Sequence, residues 1–87
     1  MKKYDFSLYL DGSVMPDEIV EQLYEAGCDD ATFGVSNGEA WAGFSRDARS
    51  LEDAIVSAVA VLRKFGFRVT RVELEEEGLV ALETAKP

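Results

Sequence analysis

Histidine does not occur in this 87-residue chain. Its absence removes the commonest general base and the commonest transition-metal ligand together. A lone cysteine, Cys28, excludes an internal disulfide. No apolar run approaches the about 18 residues that a membrane helix needs, and no signal-type apolar region is present. The expectation is a cytoplasmic protein without membrane contact. Positive charge is also scarce: 9 Lys and Arg stand against 17 Asp and Glu, for a net charge of -8. Such a field repels phosphate backbones, so direct nucleic-acid binding would need a local basic patch. The nearest approach to one is a loose concentration from Arg63 to Arg71.

What is present is an ordinary globular composition, 47% apolar and 30% charged with two prolines. A single domain of this size buries only about 60% of the surface its unfolded chain exposes, so its core is small. We expect that domain over residues 1–75, followed by an acidic tail or truncated linker over 76–87. The apolar patch from Leu79 to Leu82 in that tail is too short to fold alone, and reads as a docking segment or part of a linker.

Tyr4, Phe6, Leu8 and Leu10 alternate with Lys3, Asp5, Ser7 and Tyr9, the period of a strand with one buried face. Pro16, Asp17 and Glu18 suit a helix N-terminus, and Ile19, Val20, Leu23 and Tyr24 continue it, which predicts a helix over 16–26 closed by Gly27 in a left-handed cap. "ATFGVSNGEAWAGF" reads as two strands joined at Asn37-Gly38, the preferred pair for a type I′ turn. A two-residue loop sets the register: Ser36 faces Glu39, Val35 faces Ala40, Gly34 faces Trp41, Phe33 faces Ala42, Thr32 faces Gly43 and Ala31 faces Phe44. Trp41 then stands on the face away from the core, over Gly34.

Leu51, Ala54, Ile55, Ala58, Leu62 and Phe65 define one face of a second helix ending at Gly66. In "FRVTRVELE" the apolar parity changes, which calls for a bulge near Thr70 or a strand beginning at Val69. The resulting order, strand-helix-strand-strand-helix-strand, predicts an α+β fold of ferredoxin-like βαββαβ type: a four-stranded antiparallel sheet with two helices on one face. Its first and third strands are central, making Tyr9 and Trp41 neighbours on the open face.

The stretches "LYEAGCDDATFG" and "FSRDARSLEDAIVSAVAVLRKFGFRVTRVELE" resemble a family of small, largely uncharacterised bacterial proteins. The resemblance spans about residues 4–80 and rests on structural motifs. Longer members of that family carry a C-terminal helix-turn-helix segment, and none is expected in these 87 residues. The resemblance implies an accessory or regulatory module and names no substrate.

Three groups of residues invite a functional reading. Ser50 with Asp53 three residues on has the form of a capping box, while Arg46, Arg49 and Ser50 beside a helix N-terminus could hold a phosphate or carboxylate. Cys28 with Asp29 and Asp30 has a thiol but no base, and two adjacent acids raise a thiol's pKa, so it reads as a structural cysteine. "DGSVMPDE" lacks the alternating oxygen ligands of a calcium loop, and no metal or cofactor is expected. Tyr9, Thr32, Gly34 and Trp41 form the third group. Aromatic side chains on central strands serve RNA-recognition modules and protein interfaces alike, and the acidic charge favours a protein. The expectation is a non-enzymatic, acidic protein-interaction module, regulatory or inhibitory, meeting a partner or a second copy through that face. The alternatives are anion binding at Arg46, Arg49 and Ser50, or mimicry of nucleic acid by the acidic run 73–77, as in phage or defence inhibitors. No catalytic residue is assigned.

Overall fold

A computed structural model describes residues 2–74. The expected boundary near residue 75, the tail 76–87 and the Leu79–Leu82 patch lie outside the described residues. The elements are β1 (Lys2–Leu10), α1 (Asp17–Leu23), β2 (Ala31–Ser36), β3 (Glu39–Ala48), α2 (Leu51–Lys64) and β4 (Val69–Leu74). They form an α+β fold in which all strand pairings are antiparallel and the sheet order is β2-β3-β1-β4. β1 and β3 are therefore the central strands.

The alternation on β1 has the expected consequence. Phe6, Leu8 and Leu10 are buried, as are Ala40, Ala42 and Phe44 on the same face of β3. Phe6 faces Phe44 across the pairing, and their rings stack at 5.4 Å between centroids. Leu51, Ala54, Ala58 and Leu62 of α2 join Leu23 and Cys28 in the same core cluster. Short side chains at Ala42, Ala54 and Ala58, all fully buried, let helix and sheet approach closely.

The β2–β3 hairpin has the register set by its two-residue loop at all six positions. Asn37 and Gly38 have φ of 52° and 75°, the left-handed pair that a type I′ turn requires. Val35 has core parity yet remains exposed beside the hairpin turn.

The first helix ends at a left-handed Gly27, as expected, but it is not regular α-helix throughout. Regular α-helix stops at Leu23, and a π-type turn over Tyr24–Cys28 follows, with Gly27 left-handed at φ 114°. Leu23 and Cys28 are five residues apart and both fully buried. The left-handed Gly27 breaks the helix between them, and Cys28 joins the core beside Leu23.

At β4 both sequence readings hold together. The strand begins at Val69, and its register against β1 shifts between Tyr9 and Leu10, leaving Thr70 as the extra residue. Thr70 Oγ1 donates to the Tyr9 carbonyl at 3.1 Å, which anchors the bulge.

Candidate functional site

With the even-numbered residues of β1 and β3 turned to the core, the odd-numbered ones stand on a face that neither helix covers. Pairing aligns Gly34, Trp41, Tyr9 and Arg71 in one row across all four strands. The indole of Trp41 lies over Gly34, so closely that a Cβ there would fall 2.5 Å from its Cζ2. Its Nε1 donates to Ser36 Oγ at 3.0 Å. The ring is thereby held flat, with one face on the sheet and the other turned outward.

Tyr9 has a different cover. The Arg71 guanidinium lies 3.9 Å from its ring centroid, and Arg71 Nη1 donates to both carboxylate oxygens of Glu39 at 3.0 and 3.1 Å. Arg71 thus spans from β4 over β1 to β3. An exposed ion pair of this kind contributes about 0–1 kcal/mol, so its main effect is to fix the Tyr9 ring and neutralise Glu39. In the next row Thr32 faces Gly43 and Gly43 faces Ser7, which are small residues. They floor an open depression of about 790 Å³ walled by Trp41 and Tyr9, with Asp5 at its far side. The four residues expected at an interface, Tyr9, Thr32, Gly34 and Trp41, are contiguous on this face.

Of the residues expected at an anion corner, Arg46 is turned elsewhere. It continues the core-side parity of Phe44 and reaches toward the turn before β2. Arg46 Nε and Nη2 donate to the two carboxylate oxygens of Asp30 at 2.8 and 3.0 Å, Nη2 also to the Gly27 carbonyl at 2.8 Å, and Nη1 to Ser57 Oγ at 3.0 Å. Only 11% of its side chain is exposed. This clamp ties β3 to the π-type turn and to α2, and it leaves the guanidinium little capacity for a ligand. Asp30 holds the Arg46 pKa above its ordinary value, chiefly through these hydrogen bonds. Ser50 caps α2, accepting from the Asp53 N–H at 3.1 Å. Arg49 is exposed and makes no ion pair among the described residues.

Cys28 is fully buried behind the same clamp. Its thiol pKa is raised chiefly by burial; Arg46 opposes the shift, and Asp30 and Asp29 add to it more weakly. The direction agrees with the sequence reading, but the leading cause is desolvation rather than the two acids. No three of His, Cys, Asp and Glu are grouped to hold a metal among the described residues, and no helix there is long and apolar enough to cross a membrane.

The Arg46–Asp30 clamp was missed at the level of sequence, although the hairpin register that pairs Ala31 with Phe44 already places residues 30 and 46 close together. Compared with protein-family models, curated proteins and solved structures, the chain matches none of them.

Proposed function

We infer that this protein is a non-enzymatic binding module whose uncovered sheet face receives a protein partner, with Tyr9, Thr32, Gly34 and Trp41 at the contact. The observation that carries the reading is the flat Trp41 beside Tyr9 on the central strands. Large, rigid aromatic surface held at little entropic cost is what interface hot spots are made of. The small floor of Ser7 and Gly43 gives a partner side chain room beside it, and Asp5 at its margin suits a basic group. The strand order and the single core shared with both helical segments support reading the fold as a ferredoxin-like sandwich. A regulatory or inhibitory role toward a larger cytoplasmic bacterial protein is what the sequence resemblance implies. The anion reading is disfavoured, because Arg46 is committed to Asp30, Gly27 and Ser57. For nucleic-acid mimicry, Glu73 alone of the acidic run lies within the described residues.

The test is quantitative capture of partners by the native chain, Trp41→Ala, Tyr9→Ala and a control, Ala60→Ser, at an exposed position of α2, each checked for fold by circular dichroism. A species lost with both open-face variants and retained by the control supports the reading. Capture indifferent to Trp41 and Tyr9 overturns it.

A further inference from the structure

β4 is an edge strand of the sheet. Two backbone hydrogen bonds determine which of its groups face outward. Ser45 N–H donates to the Asp30 carbonyl at 3.0 Å, and Asp11 N–H donates to the Arg68 carbonyl at 2.8 Å. Backbone groups alternate in direction along a strand. Odd-numbered residues of β3 therefore turn to β2, even-numbered ones to β1, and odd-numbered residues of β1 turn to β4. Through the pairs Tyr9–Arg71 and Ser7–Glu73, the N–H and C=O of Arg71 and Glu73 point inward. Those of Val72 and Leu74 point outward, with no partner strand among the described residues.

The side chains of the same strand divide between the two faces. Val72 faces Leu8 on the core side, yet α2 does not reach over it and it is 42% exposed. With Leu74, Leu51, Ile55, Val56 and one charged residue, Glu52, it lines a mainly apolar groove of about 390 Å³ between α2 and β4. Val56 on its rim is 60% exposed. On the other face Arg71 and Glu73 carry opposite charges two residues apart.

We propose that β4 pairs with β4 of a second copy, antiparallel about a two-fold axis at Val72, closing the apolar groove against its symmetry mate. In this register Val72 faces the partner's Val72 as a hydrogen-bonded pair, and Arg71 faces the partner's Glu73 twice over. Only outward-facing groups meet outward-facing groups. Centring the axis on Arg71 or Glu73 instead would set like charges directly opposite, which destabilises a pairing. A shift by one residue would place apolar side chains on the open face. Charges that usually guard an edge strand here select one partner and one register. Arg71 keeps donors for this contact, since only its Nη1 is bound to Glu39 among the described residues. The product is one continuous eight-stranded sheet presenting two Trp41 rings on one side. Arg71 also covers Tyr9 on the open face, so the recovery by the mixture, rather than either single variant, separates this pairing from that face.

Sedimentation equilibrium on the native chain, Arg71→Glu, Glu73→Arg and an equimolar mixture of the two variants tests it. The native chain is expected to dimerise. Each single variant opposes like charges and should dimerise about tenfold or more weakly, while the mixture restores opposite charges and should recover the dimer. Val72→Lys, with its fold checked by circular dichroism, should be monomeric. A native chain that stays monomeric across the concentration range overturns the proposal. So does a dimer indifferent to the single variants, or one that the mixture fails to restore.

Discussion

Trp41 lies on Gly34, its directly opposed neighbour on β2, with its ring where a Cβ of residue 34 would have to go. The glycine therefore acts as the seat of the indole. Conformation is not the reason for it, because the backbone there is not left-handed.

Gly34→Ala should force the indole off the sheet and break its bond to Ser36, at a cost of about 1–3 kcal/mol, as overpacking does elsewhere. Urea unfolding measures the loss. In the Trp41→Ala background the same alanine should be neutral, so a double-mutant cycle should return a coupling of nearly the whole penalty. Additive effects would mean that the two residues do not touch.

The Arg46–Asp30 clamp should be the most sensitive polar feature of the fold. Asp30→Ala removes two charge-assisted hydrogen bonds and leaves a nearly buried guanidinium with Gly27 and Ser57 alone. Hydrogen bonds to charged groups contribute about 1.5–3 kcal/mol, and a loss in that range is expected from urea or thermal unfolding. Arg46→Met, which keeps an apolar stem but loses the guanidinium that lies over Phe44, should cost less than Arg46→Ala.

Burial raises the Cys28 thiol pKa above its ordinary 9.0. The folded state thus holds the proton to higher pH than the unfolded state does. Stability is unaffected by this group below about pH 9 and declines as pH rises past it toward the folded pKa, because thiolate formation favours unfolding. Cys28→Ala should remove that decline, measured as the difference between the two proteins' unfolding free energies across pH 8 to 11, on the order of the titration range of a thiol. At neutral pH a thiol reagent should react with the native chain only at the rate of opening.

Ser50→Ala should destabilise α2 by about 1 kcal/mol, and Ser50→Gly by only a few tenths. Inorganic phosphate should leave the melting temperature of the native chain and of Arg49→Ala alike unchanged. A phosphate-dependent rise abolished by Arg49→Ala would restore an anion site at this corner.

Local chemistry determined a good deal by itself. Asn37-Gly38 admits one kind of turn, and a two-residue turn leaves one register, so the positions of Gly34 and Trp41 followed from adjacent residues alone. Alternation on β1 and three- and four-residue steps on α2 gave the buried faces for the same reason, and Ser50 and Asp53 marked the start of α2. Tertiary structure decided whatever depended on residues distant in the chain. Periodicity says which face a side chain takes but not what stands opposite, so Arg46 could be placed near a helix start without its turn toward Asp30 being visible. Arg71 covers Tyr9 only because β4 pairs with β1 across sixty residues of chain, past a bulge whose place is set by that pairing. The apolar groove beside Val72 exists because α2 packs over the central strands and leaves the edge bare, a matter of how elements of fixed length meet in space.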